Sequence, residues 1–224
     1  GYTGVTGGSR VTYATGGAAC IAAEDVKDKL IARAALIWDV STESVEMVKG
    51  TIKSKTDSEL SLTFKELAAE LNDTGGPIIG SGALDAGGAG AGGGSFAGNI
   101  VDVEVDPETG KVSILRFTVV QDAGKAIHPS YVEGQMQGGS VQGIGWALNE
   151  EYHMNDAGNM TNASLLDYRM PTSLDLPMID TAIVEVPSQG HPYGVRGVGE
   201  ANIAPPPAAI AHAIQNATGV WMNK

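Results

Sequence analysis

The sequence contains a single cysteine, Cys20, among 224 residues. One thiol cannot form an internal disulfide, and alone it cannot supply the several ligands of a structural zinc ion or an iron–sulfur cluster. The four histidines, His128, His153, His191 and His212, are too far apart to form a local metal-binding motif. We therefore expect no metal ion to be ligated directly by side chains of this chain.

Basic residues are also scarce, with 14 Lys and Arg against 26 Asp and Glu and a formal net charge of -12. Such a chain lacks the basic face that would neutralise a phosphate backbone, so we expect no nucleic-acid partner. The first residues, "GYTGVTGGSR", have no basic segment followed by an apolar one, and the longer apolar runs are interrupted by charge, glycine or proline. We expect a cytoplasmic protein that does not enter membranes.

Glycine, in contrast, is abundant, and the 31 glycines are concentrated in a few stretches. The run "GAGAGG", with Gly88, Gly90 and Gly93, formally matches a dinucleotide-binding fingerprint. That fingerprint requires a strand before it and a helix after it, whereas here a strand is predicted to follow. We therefore interpret the glycine-rich stretches as loops on a folded scaffold. They cover residues 4–17, 75–98, 134–145 and 190–199.

Hydrophobic spacing and turn residues predict an α+β fold with mixed sheets and helices. Near-helical spacing predicts a long helix between Val11 and Trp38, and "TFKELAAEL" predicts a short helix opened by Thr63. The segments "NIVDVEVD" and "KVSILRFTVVQD", joined by "PETG", predict a β-hairpin over residues 99–122. The other predicted elements are a hairpin over 45–62 turning at "KTDSE", a helix over 129–151, a strand over 179–186 and a helix over 205–218.

The sequence predicts a boundary between two segments just before the glycine-rich stretch that begins at residue 75. Residues 1–74 are predicted to form a first α+β segment, and residues 75–224 a second one that carries Gln135 and Glu200.

The predicted helix "EGQMQGGSVQGIGWALNEE" carries five glycines, at 134, 138, 139, 143 and 145. Each interior glycine costs about 1 kcal/mol relative to alanine. Some other interaction must offset that cost. A glycine lets another backbone or a bulky ligand approach closely, so we expect such a group to lie against this helix. Two interpretations remain open: close helix packing with a solvated Gln135, or a helix that faces a cofactor.

A second unusual segment is "GVRGVGE", which ends at Glu200 and precedes a proline-led apolar run. The glycines permit a sharp bend, and the amides of such a turn attract a carboxylate. Glu200 is therefore either an acid that flanks a helix or a functional carboxylate held by the turn.

Four segments, in this order, make the chain resemble the C-terminal part of the molybdopterin-binding subunit of the xanthine dehydrogenase and aldehyde oxidoreductase family of molybdenum hydroxylases. They are "GGSRVTYATGGAA", "VDVEVDPETGKVSILRFTVVQDAGKAIHPSYVEGQMQGGSVQGIGWALNEE", "LDYRMPTS" and "GVRGVGEANIAPPPAAIAHAI". The resemblance implies that the fold is the C-terminal portion of a molybdopterin-binding domain.

The resemblance also implies roles for particular residues. Glu200 matches the glutamate that acts as catalytic base at the molybdenum, and Gln135 matches a glutamine close to the cofactor. The cofactor-binding residues implied in this way are Gly8, Ser9, Arg10, Gln135, Gly197 and Gly199. The cofactor expected is molybdopterin with molybdenum, in its cytosine dinucleotide form, and the pterin rather than the protein ligates the metal.

The family's substrate-positioning residues lie in a part of the subunit that precedes the segments found here. The resemblance therefore implies a fragment, or one chain of a split subunit, that is inactive alone. Its expected partners are the remaining half of the molybdenum subunit and an iron–sulfur subunit with 2Fe–2S clusters. The other expected partners are an FAD subunit and a small-molecule substrate.

Three functions remain to be separated. The first is oxidative hydroxylation of an aldehyde or an N-heteroaromatic compound with water as the oxygen source. The second is a non-catalytic acidic assembly or binding module, in which Glu200 would be solvated on all sides. The third is a different reaction within the family, either dehydroxylation of an aryl-CoA thioester or oxidation of carbon monoxide.

Overall fold

The computed structural model describes residues 4–84, 94–191 and 193–222. The glycine run with Gly88, Gly90 and Gly93 lies outside these ranges. The chain forms two compact units, one of Gly1–Tyr13 with Gly87–Lys224 and one of Ala14–Ala86.

These bounds differ from the predicted division after residue 74. Gly80 and Gly82 lie against the first turns of the long helix, where an added Cβ would overlap the carbonyl oxygens of Ala22 and Ala18, respectively. This close packing keeps the residues that follow 74 within the smaller unit.

The smaller unit pairs one long helix with a three-stranded antiparallel sheet. A π-helical turn, Val11–Thr15, precedes helix α1, Gly16–Trp38. The sheet has the order β1–β2–β3, and helix α2 is Phe64–Glu70. The strands are β1 Val45–Val48, β2 Thr51–Ser54 and β3 Ser61–Thr63.

Local signals explain this unit in part. Thr63 caps α2 in a capping box with Glu66, as expected from a threonine followed three residues later by glutamate. The turn at "KTDSE" joins β2 to β3 as predicted. The first arm of the predicted hairpin is divided into β1 and β2 by a turn that was not predicted. These two strands pair through two residues, Lys49 and Gly50, with φ of 49° and 82°.

The larger unit is a mixed sheet covered by two helices. Strands β4, Phe96–Val105, and β5, Val112–Asp122, form the predicted hairpin, and β6, Ile179–Val184, lies parallel to β5. Helices α3, Pro129–Leu148, and α4, Pro205–Thr218, pack on this sheet. Their core consists of buried side chains from both layers, namely Phe117, Val119, Met136, Ile144, Ile179 and Ile210.

The predicted α+β class is confirmed, with small differences at element ends. Helix α3 stops at Leu148 rather than 151, and β6 stops at Val184 rather than 186. In the described part of the chain, no helix is long and apolar enough to cross a bilayer. The cytoplasmic location stays a prediction.

Candidate functional site

A tight turn at residues 7–10 forms one wall of the candidate site. Gly8 and Ser9 both have φ of 58°, and the Arg10 amide donates to the carbonyl of Gly7 at 3.0 Å. Positive φ at both central residues is the signature of a type I′ turn. A serine in this region is strained, so contacts from the rest of the site must hold it there.

Those contacts come from the turn that ends at Glu200. The Gly8 amide donates to Oε2 of Glu200 at 2.8 Å, and Ser9 Oγ accepts from the Val198 amide at 3.2 Å. Gly197 lies so near that an added Cβ would fall 3.2 Å from the Gly8 carbonyl oxygen. Two segments about 190 residues apart are therefore in direct contact.

Helix α3 brings the third segment to the same place. A Cβ added at Gly199 would lie 2.6 Å from Oε1 of Gln135, and one added at Gly139 would lie 2.9 Å from the Gly199 carbonyl oxygen. The three glycine-rich segments, which are far apart in sequence, thus come together in the structure. The catalytic and cofactor-binding roles of their residues stay predictions.

Glu200 and Gln135 are both exposed residues. Glu200 is nevertheless held on one side, because the Gly8 amide binds its carboxylate. Arg10 contributes its backbone to the turn, but its guanidinium lies beside Gly4, where an added Cβ would be 2.9 Å from Nη1. Among the predicted residues, Gly8, Ser9, Gln135, Gly197, Gly199 and Glu200 come together, while the Arg10 side chain points to Gly4.

A cavity of about 240 Å³ opens beside this cluster. Ser9, Gln135 and Val198 contribute to its wall, together with the loop that precedes α3. No group of three or more His, Cys, Asp or Glu side chains with metal-binding geometry occurs within residues 4–84, 94–191 and 193–222. The cavity is lined by Ser9, Thr12, Ala123, Lys125, Ile127, His128, Tyr131, Val132, Gln135, Val195, Arg196 and Val198.

The two cations in the cavity wall are already paired with acids. Lys125 lies 2.9 Å from Glu185 Oε1, and the Ala126 amide donates to the same oxygen at 2.8 Å. The Lys125 ammonium, followed by the Ala126 amide, holds the pKa of Glu185 below its ordinary value. These contacts fix the loop between β5 and α3.

The pair of Arg196 and Asp122 was not anticipated from the sequence. Arg196 Nε lies 3.3 Å from Asp122 Oδ2, and only 14% and 13% of the two side chains are exposed. Arg196 also donates to the carbonyls of Val186 and Gly94, at 3.0 and 2.9 Å. The only sequence signal was a charged residue within two positions of a glycine in each of "GVRGVGE" and "QDAG".

The helical glycines serve different purposes. At Gly139 and Gly143 an added Cβ would meet the Glu200 turn and Pro206 of α4 at 2.9 and 2.7 Å, so these two glycines permit close helix packing. At Gly134 and Gly138 no described atom lies within 4 Å of an added Cβ. Close packing therefore accounts for Gly139 and Gly143, and the interpretation that this helix faces a cofactor stays a prediction.

The "LDYRMPTS" segment joins the end of α3. The Tyr168 hydroxyl donates to Glu150 Oε2 at 2.7 Å, and this bond is the main cause that raises the pKa of Tyr168 to about 12. The third motif is thereby tied to the second.

Comparison with known proteins identifies relatives of this arrangement. Residues 1–177 match the sequence model of a molybdopterin cofactor-binding domain. The chain is 36% identical over 220 residues to the putative xanthine dehydrogenase molybdenum-binding subunit of Escherichia coli K12, covering 96% of this chain and 29% of that protein. It is 33% identical over 236 residues to the nicotine 6-hydroxylase large subunit of Paenarthrobacter nicotinovorans, covering 96% and 27%.

A solved structure shares the fold. The carbon monoxide-reduced Cu,Mo-CO dehydrogenase matches with a TM-score of 0.81 at 27% identity, covering 96% of this chain and 27% of that chain. The chain thus spans less than a third of the length of the relatives described here.

Proposed function

Because the chain belongs to the family of molybdopterin cofactor-binding domains, we propose that it forms the base-bearing part of a molybdenum hydroxylase active site. The proposed reaction is oxidative hydroxylation of an aldehyde or an N-heteroaromatic compound, with water as the source of oxygen. The names of two relatives, xanthine dehydrogenase and nicotine 6-hydroxylase, support a nitrogen heterocycle as the substrate class.

The observation that carries the proposal is the contact between Gly8 and Glu200. The 2.8 Å bond from the Gly8 amide fixes one carboxylate oxygen of an exposed glutamate. Gln135 lies against the adjacent Gly199, and Ser9 and Val198 line the neighbouring cavity. A carboxylate held in one position beside a cavity and an amide is suited to general-base catalysis, because a base must lie within hydrogen-bonding reach of its proton.

The residues present also fit a molybdopterin. The polar side chains around the cavity are three hydroxyls, one amide, one histidine and two cations that are paired with acids. They are not a set of metal ligands, which suits a metal carried by its own organic ligand. Gly134 and Gly138 leave open space on the helix that presents Gln135, so a bulky group can approach its backbone.

In the proposed reaction each residue has a separate task. A bound molybdenum–pterin group supplies the two-electron redox chemistry of hydroxylation. Glu200 accepts the proton that the water-derived oxygen loses as it attacks the substrate carbon. Since Gly8 binds Oε2, Oε1 is the oxygen that takes the proton. Gln135, Ser9 and the residue 197–199 backbone orient the pterin, in its proposed cytosine dinucleotide form.

The proposal includes partners, because the chain spans only part of its relatives. The remaining part of the molybdenum subunit would supply the substrate-facing wall. Subunits with iron–sulfur clusters and FAD would carry electrons away. The "large subunit" in the name of one relative supports a complex of several chains.

The experiment uses the complete molybdenum subunit co-expressed with its partner subunits. Molybdenum and released cytidine nucleotide are measured per chain, and turnover is tested on aldehydes, N-heteroaromatic compounds, an aryl-CoA thioester and carbon monoxide in ¹⁸O-labelled water. We expect molybdenum near one per chain and ¹⁸O in a hydroxylated product.

Two results would contradict this proposal in different ways. A loaded enzyme that oxidises only carbon monoxide, or only removes a hydroxyl from the thioester, would assign another reaction of the family. A correctly assembled complex with neither molybdenum nor turnover would assign the non-catalytic assembly module.

A further inference from the structure

Behind the Glu200 turn lies a pair of fully buried amide side chains. Gln121, near the end of β5, and Asn202, two residues after Glu200, are both 0% exposed. Asn202 Nδ2 donates to Gln121 Oε1 at 2.5 Å. No sequence motif singled out either residue.

The pair binds the backbone immediately before Glu200. Gln121 Nε2 donates to the carbonyl oxygens of Gly197 and Val198, both at 3.1 Å, and Asn202 Nδ2 donates to the Val198 oxygen at 3.1 Å. Ser95 Oγ adds a second donor to the Gly197 oxygen at 2.6 Å. Two consecutive carbonyls are therefore fixed toward the interior.

Fixing these carbonyls also fixes the amides on the other side of the chain. In a planar trans peptide the C=O and the following N–H point in opposite directions. The Val198 N–H therefore points away from the buried pair, and it meets Ser9 Oγ at 3.2 Å. The Val198 carbonyl likewise points toward the pair. The Gly199 N–H belongs to the same peptide group, so it points away from the pair.

We propose that Gln121 and Asn202 are positioning residues that hold the Glu200 turn against the Gly8–Ser9 turn. This inference rests on the proposed role of Glu200 as the base. Without the pair, the Gly197 and Val198 carbonyls would lose buried hydrogen bonds. Because an unpaired buried carbonyl is unfavourable, these peptide groups would rotate toward other donors. Rotation would move both the Val198 amide and the Glu200 carboxylate away from their partners in the Gly8–Ser9 turn.

The test compares Gln121→Met with the wild type in the complete, molybdenum-loaded enzyme. Methionine preserves the length and approximate volume of the side chain but removes both the amide oxygen and the amide nitrogen. Small displacements of a catalytic group cost on the order of 10²-fold in rate. We expect kcat per bound molybdenum to fall roughly 10- to 100-fold, with KM unchanged and with faster amide hydrogen exchange in residues 197–202.

Asn162→Ala is the matched control. Asn162 is a buried amide that also clamps two backbone groups, accepting from the His153 amide at 3.0 Å and donating to the Glu151 carbonyl at 2.7 Å. Its loss should leave turnover per molybdenum and exchange in residues 197–202 unchanged. If Gln121→Met does not accumulate, Ser95→Ala replaces it, with the same readouts and a smaller fall expected.

The outcomes separate this inference from the base role of Glu200. Wild-type kcat and wild-type exchange in Gln121→Met would overturn the positioning role. An equal loss in Asn162→Ala would also overturn it, because general destabilisation would then be the cause. If Glu200→Gln retains normal turnover, the base role fails, and the exchange of residues 197–202 alone decides the positioning role.

Discussion

The amide of Gly8 and the carboxylate of Glu200 are joined by a 2.8 Å hydrogen bond across 192 positions of sequence. This bond links the first and the last of the four motif segments. It lies next to the Ser9–Val198 bond, so two adjacent backbone positions fix one turn against the other. The glutamate is thereby positioned by the fold rather than by its immediate sequence neighbours.

Two neighbouring helical glycines should respond in opposite ways to substitution by alanine. In Gly139→Ala the new Cβ meets the Gly199 carbonyl oxygen at 2.9 Å and the Asn202 Cβ at 3.0 Å. Such overpacking costs about 1–3 kcal/mol, which exceeds the helix-propensity gain of about 1 kcal/mol. Gly138→Ala meets open space, so only the gain remains. Thermal unfolding of the 224-residue chain should show a lower Tm for the first variant and a higher Tm for the second. Equal shifts would contradict this packing.

Ser9→Ala should loosen the turn while keeping its strained backbone. The variant removes the Oγ that accepts from the Val198 amide but leaves a side chain at a φ of 58°. A hydrogen bond of this kind contributes about 1 kcal/mol. We expect a stability loss of that size, measured by denaturant unfolding, and faster exchange of the Val198 amide. Unchanged exchange at Val198 would show that this hydrogen bond does not hold the turn.

Acid should selectively weaken the loop between β5 and α3. The pKa of Glu185 is lowered by Lys125 and by the Ala126 amide. Its folded-state pKa is therefore below the unfolded one, so the stabilisation is complete above the ordinary glutamate pKa and disappears as the pH falls through the folded value. Glu185→Gln should lower Tm near neutral pH, with a difference from wild type that shrinks on acidification. Lys125→Met should show the same pH dependence. A Tm difference from wild type that stays constant between pH 7 and pH 3 would contradict the stabilising role of the Glu185–Lys125 pair.

The 224-residue chain alone should neither retain molybdenum tightly nor catalyse hydroxylation. It contains the proposed base and part of the cofactor surface, but the substrate-facing wall and the route for electrons are proposed to lie elsewhere. Metal analysis and dye reduction on the purified chain test this. Stoichiometric molybdenum in the chain alone would contradict the proposed division of the site.

Features set by local sequence were predicted well. Thr63 begins α2 through its capping box, and the prolines at 205–207 begin α4, because caps and proline act within one helical turn. The hairpin of β4 and β5 follows from alternation around "PETG". The costly glycines of α3 indicated that another group approaches this helix, and Gly139 and Gly143 do lie against the Glu200 turn and α4.

Features set by distant contacts were missed. The Asp122–Arg196 ion pair and the Gln121–Asn202 amide pair each join β5 to the Glu200 turn across more than 70 positions, and their residue types are ordinary. Gly80 and Gly82 belong with the smaller unit because they pack on α1, which no local pattern reveals. Contacts with distant parts of the chain, rather than motifs, distinguish these residues.

Glu200→Gln in the complete enzyme tests the central claim most directly. Glutamine keeps the volume and can still accept the Gly8 amide bond, but it cannot act as a base at neutral pH. Turnover and molybdenum content are measured on the same preparation, together with the rate at which substrate reduces the enzyme. We predict unchanged molybdenum content and a loss of roughly 10²- to 10⁴-fold in the reduction rate. Normal turnover per bound molybdenum would contradict the assignment of Glu200 as the catalytic base.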